Sequence, residues 1–151
     1  RGRVFKQYKL RTMVANAETI KKDLLPLNEL DGPIFKIKDD PRITWFGKFL
    51  RKFSIDELPQ FFNVLKGDMN VVGPRPYPIL EVKNFKDANY YRRHSMKPGI
   101  TGLWQIKDRN NIKDFDDWVK IDLDYIDNWS FTSDFYILFM TIPVILRGRG
   151  K

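Results

Sequence analysis

Proline and glycine interrupt this sequence at short intervals and limit where a regular element can run. Nine prolines are spread over 151 residues, and three of them fall within residues 68–78. Because proline lacks the N–H that a helix interior or a central strand needs, each one ends or interrupts a regular element. The chain is therefore expected to form short elements joined by turns. It shows no strand–helix–strand alternation, which argues against a doubly wound nucleotide fold.

Apolar spacing between these breaks predicts mostly helices. Leu58, Phe61, Phe62 and Leu65 recur at helical spacing, and Gly67 supplies a C-terminal stop. Residues 68–78 and 96–106 are expected to be loop and turn-rich structure. The pattern predicts further helices over residues 14–25, 45–53, 79–93, 114–128 and 132–146, and strands over 4–10 and 34–38. The predicted fold class is α+β: a single compact, helix-rich domain over residues 1–151, with a few short strands.

Composition narrows the chemistry. With 27 Lys and Arg against 19 Asp and Glu, the net charge is +8, which favours anionic partners such as phosphate esters, nucleic acid or anionic lipid. The lack of cysteine excludes disulfides, thiolate metal sites and cysteine nucleophiles, and a single histidine, His94, excludes a multi-histidine zinc site. Acid–base chemistry therefore falls mainly on carboxylates, and any metal is expected to be a hard cation with oxygen ligands.

Two adjacent carboxylates, Asp56 and Glu57, precede the helix that contains Leu58. A structural interpretation is a capping box, Ser54-x-x-Glu57, or an N-cap at Asp56 that places Pro59 in the first turn. A functional interpretation relies on the same position, because a helix N-terminus favours ionised carboxylates and bound phosphate. An ionised carboxylate is what a nucleophile or a metal ligand requires. Spacing alone leaves both interpretations open.

Arg75 lies between Pro74 and Pro76. A proline-stiffened arginine can bind a phosphate with two parallel hydrogen bonds and lose little conformational entropy on binding. The alternative is a rigid surface loop with a solvated arginine. The residues by themselves do not decide between these two interpretations.

Five motifs occur here in one order and together closely resemble the bacterial sugar transferases, the monotopic polyprenyl-phosphate phosphoglycosyl transferases. The resemblance runs over essentially the whole chain, and "DGPIFKIKDDPRIT" is most similar to members that begin exopolysaccharide, capsule or O-antigen assembly with a hexose. The motifs are "KLRTM", "NELDGPIFKIKDDPRIT", "FLRKFSIDELPQFFNVLKGDMNVVGPRP", "KPGITGLWQ" and "DLDYIDNWSFTSDFYILFMTIPVILRGRG".

The resemblance implies transfer of a hexose-1-phosphate from a UDP-sugar to undecaprenyl phosphate, with release of UMP. It implies that Asp56 is a nucleophile that forms a covalent phosphosugar intermediate and lies against a required Mg²⁺, and that Glu57 supports the site. It makes Arg75 a phosphate or nucleotide contact, and Lys9 and Arg51 further basic positions around the site.

The resemblance also implies a location. The family acts on the cytoplasmic face of the bacterial inner membrane, and its members usually begin with a membrane-inserted segment that is not found here, so the chain is expected to be a fragment. Residues 131–146 are too short and too interrupted to cross a bilayer. A membrane surface is therefore an expected partner, and a homodimer stays open.

Two alternative classes of function are weaker. A basic nucleic-acid-binding domain would suit the +8 charge and 15% aromatic content. However, the basic residues are spread along the chain and no known nucleic-acid-binding motif is recognisable, so no nucleic acid partner is expected. A membrane-surface adaptor without catalysis is disfavoured by the intact Asp56–Glu57 pair.

Asp122, Asp124 and Asp127 could suggest a metal cluster. Their spacing along a helix spreads them around it rather than gathering them on one side. The sequence therefore predicts that these three aspartates form a solvated face.

Overall fold

A computed structural model describes residues 2–29, 33–37, 39–107 and 114–148. Helices dominate, and two short parallel strands complete the architecture, which confirms the α+β class. The α-helices of this part are α1 (Ala17–Leu24), α2 (Trp45–Lys52), α3 (Gln60–Leu65), α4 (Ile79–Val82), α5 (Ala88–Arg92), α6 (Leu103–Ile106), α7 (Phe115–Asp127) and α8 (Phe131–Leu146). The strands are β1 (Asn70–Val72) and β2 (Gly99–Thr101), and 3₁₀ turns cover Leu25–Leu27, Ile55–Glu57 and Arg93–Ser95.

Both strands lie where loop and turn structure was predicted. They pair in parallel, with Asn70 opposite Gly99 and Val72 opposite Thr101. A parallel pair needs a long crossover, and here α4 and α5 supply it. At the end of β1, a Cβ on Gly73 would lie 2.6 Å from the Lys97 carbonyl oxygen, so only glycine allows this backbone approach.

The two predicted strands are wrong over the described residues. Residues 4–10 form no strand, and the side chain of Asn63 provides partners for their backbone: it accepts from Tyr8 N at 2.9 Å and donates to the Lys6 carbonyl at 2.8 Å. Residues 34–37 use Asn28 in the same way, which accepts from Lys36 N at 2.7 Å. In both segments, side-chain amides take the place of a partner strand as hydrogen-bond partners of the backbone, so the alternation of apolar and polar residues did not indicate a strand. Lys38, the last residue of that predicted strand, lies outside the described residues.

The helix predicted over residues 79–93 is divided into two. Asp87 has an extended backbone, and its carboxylate accepts a hydrogen bond from Asn89 N at 2.6 Å. This N-cap begins α5 as a separate helix after α4 has ended. The predictions for α2, α7 and α8 agree with the structure to within one residue at each end.

Both predicted caps before α3 are also wrong. Ser54 has φ +54°, in the left-handed region, and its side chain makes no cap hydrogen bond. Pro59 directly precedes α3, so its missing N–H leaves no helical bond unmade. Asp56 and Glu57 instead lie in the 3₁₀ turn between α2 and α3.

Two apolar clusters form the core, and α7 contributes to both. Phe115, Trp118 and Val119 pack with Ile34 and Phe85 on one side. Tyr125, nearer the end of α7, packs with Val72 of β1 and Ile137 of α8. The α4–α5 crossover contributes Phe85 to the first cluster, and β1 contributes Val72 to the second. Because α7 packs against both, it fixes the two ends of the loop that follows β1.

The prediction of a solvated acidic face on α7 is wrong for Asp122. Asp124 and Asp127 are half exposed and pair with Lys107 and Arg92. Asp122 is 2% exposed and pairs with the equally buried Arg93. Helical spacing could not show this, because the partner that compensates the buried charge lies 29 residues away.

Candidate active site

Asp56 and Glu57 meet one lysine. Lys9 Nζ lies 3.0 Å from Asp56 Oδ2 and 3.2 Å from Glu57 Oε1. The Asp56 side chain is 2% exposed, whereas that of Lys9 is 32% exposed and reaches solvent. One ammonium group therefore neutralises part of the charge of two neighbouring carboxylates.

The backbone around the acidic pair is held by the N-terminal segment. Leu10 N donates to the Asp56 carbonyl at 3.0 Å. Asn63 of α3 is fully buried, and its amide makes hydrogen bonds with Tyr8 N and Lys6 O that fix the N-terminal segment on either side of Gln7. These contacts bring Lys9 against the carboxylates, although Lys9 lies 47 residues before Asp56 in the sequence.

Arg51 lies at the end of α2 and faces a different neighbour. Its Nε donates to Thr12 Oγ1 at 2.9 Å. Burial lowers the pKa of Arg51, and the negative charge of Asp56 opposes that shift. Arg51 contributes positive potential near Asp56 without lining the cavity described below.

Arg75 is held on a turn that follows β1. Gly99 N of β2 donates to the Pro74 carbonyl at 2.9 Å, and Arg93 Nη2 donates to the carbonyl of Arg75 itself at 3.3 Å. The Arg75 guanidinium lies 4.8 Å from the centre of the Trp104 ring, in a cation–π contact. The proline-stiffened turn predicted from the sequence is thus fixed at its backbone and at its side chain.

A cavity of about 250 Å³ brings three of the predicted residues together: Lys9, Glu57 and Arg75. Asp56 does not line the cavity but contacts Lys9, which does. Burial raises the pKa of Glu81 and of Tyr77, two further groups in its wall. The other residues that line this cavity were not among the predicted site residues; they include Gln60, Phe35, Tyr77, Glu81 and Trp104.

Some of these missed residues lay inside recognisable motifs. Gln60 follows Pro59 in "DELPQ", and Trp104 belongs to "GLWQ". Trp104 is 3% exposed, which suits a core residue, and its contact with Arg75 is what connects it to the site. No sequence motif around Glu81 indicates a site residue. Glu81 reaches the cavity because α4 belongs to the crossover between β1 and β2, which the sequence pattern did not predict.

The acidic pair fits a magnesium site completed by substrate. Two adjacent carboxylates already bind one cationic group, the Lys9 ammonium. Within the described residues, no three acidic or histidine side chains gather into a metal-binding group. Mg²⁺ keeps several waters and is commonly held by one or two carboxylates together with substrate phosphates. Asp56 and Glu57 therefore suit that kind of site.

Comparison with known proteins places the chain. The family model described as bacterial sugar transferase matches residues 1–148. The chain belongs to the bacterial sugar transferase family.

Named bacterial sugar transferases are similar over nearly the whole chain. Galactosyl transferase CpsE of Streptococcus agalactiae is 57% identical over 149 residues, which cover 99% of this chain and 33% of that protein. Undecaprenyl-phosphate galactose phosphotransferase of Salmonella typhimurium is 47% identical over 154 residues, 99% of this chain and 32% of that protein. UDP-glucose:undecaprenyl-phosphate glucose-1-phosphate transferase of Klebsiella pneumoniae is 39% identical over 147 residues, 93% of this chain and 29% of that protein. The chain thus spans about a third of the length of these relatives.

Proposed function

We propose that this protein transfers a hexose-1-phosphate from a UDP-sugar to undecaprenyl phosphate and releases UMP. The observation that carries the proposal is a cavity lined by Glu57, Lys9 and the rigid Arg75, with the neighbouring Asp56 paired to the same lysine. The names of the relatives support it, because they describe a galactose phosphotransferase and a glucose-1-phosphate transferase that act on undecaprenyl phosphate.

In the first step a carboxylate oxygen of Asp56 attacks the phosphorus that carries the sugar. An Asp56–phosphorus bond forms, the bond from that phosphorus to the bridging oxygen breaks, and UMP leaves with the electron pair. A negatively charged nucleophile meets a negatively charged diphosphate in this step. Lys9 and Arg75 lower that repulsion, since both place positive charge at the cavity.

In the second step a phosphate oxygen of undecaprenyl phosphate attacks the same phosphorus. The bond to Asp56 breaks, the carboxylate is restored, and the sugar leaves as an undecaprenyl diphosphate derivative. Two displacements at one phosphorus let two bulky phosphates use the same cavity in turn. Glu57 contacts the same lysine as Asp56, which supports a role for Glu57 in orienting the attacking phosphate through Lys9.

Mg²⁺ is proposed as the cofactor, held by Asp56 with Glu57 beside it. When bound, it supplies charge neutralisation for the diphosphate of the donor. The protein's own share of that task belongs to Lys9, which contacts both carboxylates, to Arg75, which lines the same cavity as Glu57, and to Arg51, whose charge interacts with that of Asp56.

A membrane surface is the proposed location, on the cytoplasmic face of the bacterial inner membrane, with a homodimer as an open possibility for assembly. Large apolar side chains are exposed on three helices: Trp45 (83%) of α2, Leu65 (83%) of α3 and Phe139 (75%) of α8. A lipid-linked acceptor must meet the site at such a surface. No helix among the described residues is both long and apolar enough to span a bilayer.

The proposed place in metabolism is the first membrane step of exopolysaccharide, capsule or O-antigen synthesis. A relative in Sinorhizobium fredii is named exopolysaccharide production protein ExoY and is 40% identical over 154 residues. A hexose linked through a diphosphate to a lipid is the substrate that later glycosyl transfers would extend.

A panel of UDP-sugars tests the proposal. Full-length protein, undecaprenyl phosphate and Mg²⁺ are incubated with UDP-galactose, UDP-glucose or an N-acetylated UDP-hexosamine, and released UMP is measured. UMP release that depends on the lipid phosphate, with at least one UDP-hexose, is the expected result. Release of UDP instead of UMP would contradict the proposal, because it would mean cleavage of the sugar–oxygen bond.

A further inference from the structure

A buried ion pair behind the cavity joins the 3₁₀ turn Arg93–Ser95 to α7. The guanidinium Nη2 of Arg93 contacts Oδ2 of Asp122, and the two side chains are 1% and 3% exposed. Nothing in the proposed transfer uses either residue directly. Both lie outside the set of residues that line the cavity.

Arg93 contacts the turn that carries Arg75 on both sides of Pro76. Its Nη2 donates to the Arg75 carbonyl at 3.3 Å. Its guanidinium lies 4.2 Å from the centre of the Tyr77 ring. Tyr77 packs in turn on Phe85 and Phe115 of the core, so these contacts connect the arginine turn to the interior.

The pair also has an electrostatic consequence for Arg75. Two guanidinium groups near each other repel, and Arg75 is one of the groups that lower the pKa of Arg93, after burial itself. Asp122 neutralises Arg93, so Arg93 can lie behind the turn without displacing Arg75. Of these two guanidinium groups, that of Arg75 is then the one that offers positive potential to the cavity.

Stability alone is a weak reason for this arrangement. A buried ion pair can often be replaced by apolar side chains of similar volume at no loss of stability. In addition, Nε and Nη1 of Arg93 are buried and lack a hydrogen-bond partner among the described residues. The feature that an apolar pair would not reproduce is the directional contact of one planar guanidinium with Asp122, the Arg75 carbonyl and the Tyr77 ring.

We propose that Arg93 and Asp122 are positioning residues, which hold the turn so that the Arg75 guanidinium stays against Trp104 and faces the diphosphate of the donor. The inference rests on the proposed function, because it assigns the pair a role in presenting Arg75 to that substrate. Asp122 fixes Arg93, Arg93 fixes the Arg75 carbonyl, and Arg75 meets the phosphate.

The test is a double-mutant cycle on UMP release. Arg93→Lys retains a positive charge beside Asp122 but loses the planar fork, and we expect kcat/KM for the UDP-sugar to fall about tenfold or more. In an Arg75→Ala background, where nothing remains to be positioned, the same Arg93→Lys change should alter kcat/KM by less than about twofold. A purely structural role would give similar factors in both backgrounds.

Arg92→Lys is the matched control. It is the same substitution at the preceding residue, whose side chain is half exposed and pairs with the exposed Asp127. We expect it to leave kcat/KM unchanged within about twofold, since surface ion pairs contribute little.

A second variant covers the case in which Arg93→Lys fails to fold. Replacing both charges, with Arg93→Met and Asp122→Leu together, leaves no unpaired ion in the interior. This variant should unfold at about the same temperature as the wild type yet lose about tenfold or more of its kcat/KM.

The outcomes separate this inference from the proposed function. Wild-type protein that releases no UMP from any UDP-sugar would refute the proposed function. Active wild-type protein with an equally active Arg93→Met/Asp122→Leu variant would overturn the positioning role alone. So would equal factors for Arg93→Lys with and without Arg75.

Discussion

At the scale of single residues, the two acids of the site differ in burial. The Asp56 side chain is 2% exposed and that of Glu57 is 11% exposed, although one lysine contacts both. A phosphosugar bound to Asp56 would be an acyl phosphate, which water hydrolyses. Exclusion of water around Asp56 therefore suits the nucleophile, and the more exposed Glu57 suits a supporting role.

Substitution of each acid by its amide tests this division. Asp56→Asn retains size and hydrogen-bonding capacity but cannot form the acyl phosphate, so UMP release should fall by about 10³-fold or more. Glu57→Gln should also reduce the rate, by a smaller factor. Asp68→Asn provides a control on a carboxylate outside the cavity lining. Wild-type turnover in Asp56→Asn would show that Asp56 is not the nucleophile.

At the scale of elements, α3 and the N-terminal segment are joined through one side chain. Asn63 is fully buried, and its amide makes two hydrogen bonds to the backbone of residues 6–8. These bonds satisfy the backbone N–H of Tyr8 and the backbone carbonyl of Lys6, as a partner strand would. They also determine where Lys9 lies relative to the acidic pair.

Asn63→Ala should therefore affect both stability and activity. It leaves a backbone N–H and a carbonyl without their partner, which should lower the free energy of unfolding by about 2 kcal/mol. Because Lys9 loses its fixed position, UMP release should also fall. Asn89→Ala, an exposed change in α5, is the control for denaturant unfolding. An Asn63→Ala protein as stable and as active as the wild type would refute the role of Asn63.

The turn before α2 depends on a second buried ion pair. Arg42 Nη2 lies 2.6 Å from Asp40 Oδ2, and Arg42 Nη1 donates to the Ala17 carbonyl of α1 at 3.4 Å. The hydrogen bonds from Arg42 hold the pKa of Asp40 below its usual value. An acid with a lowered folded-state pKa contributes stability above its unfolded pKa and loses it as the pH falls through the folded one.

Asp40→Asn should thus destabilise the protein in a pH-dependent way. At pH 7 we expect a loss of about 3 kcal/mol, because Arg42 stays buried without its counter-ion. The difference from the wild type should shrink as the pH falls below about 4, the usual range of an aspartate pKa. Denaturant unfolding of both proteins between pH 7 and pH 3 measures it. A difference that stays constant over that range would refute the pairing.

At the scale of the whole molecule, local sequence patterns predicted the helices whose formation depends on residues close together in the sequence. The bounds of α2, α7 and α8 follow from apolar spacing and end signals. The strands β1 and β2 do not, because three-residue strands carry no pattern of their own and form only when the crossover brings them together.

The same distinction holds for the site. Local motifs singled out Asp56, Glu57 and Arg75, and the family resemblance supplied their predicted roles. The structure adds the contact of Lys9 with both acids. The burial of Asp122 was predicted wrongly and Arg93 was missed, because each depends on a partner distant in sequence. Glu81 was missed for a similar reason, since only the fold brings α4 to the cavity.

The exposed apolar side chains of α2, α3 and α8 lead to a prediction about membranes. With a net charge of +8, the protein should bind anionic phospholipid vesicles. Salt at about 0.5 M should weaken this binding, because it screens the charges. Phe139→Ser on α8 should weaken vesicle flotation, whereas Leu80→Ser on α4 should not, although both side chains are well exposed. Equal flotation of the two variants would contradict an oriented membrane surface.

The covalent step through Asp56 is the central claim, and a single-turnover measurement tests it most directly. Full-length enzyme is mixed with UDP-sugar and Mg²⁺ without the lipid acceptor, and both UMP and the mass of the peptide containing Asp56 are determined. We predict a burst of about one UMP per active site and a mass increase of one hexose phosphate on Asp56, neither of which occurs in Asp56→Asn. Turnover with acceptor but no burst without it, or an adduct on another residue, would contradict the account.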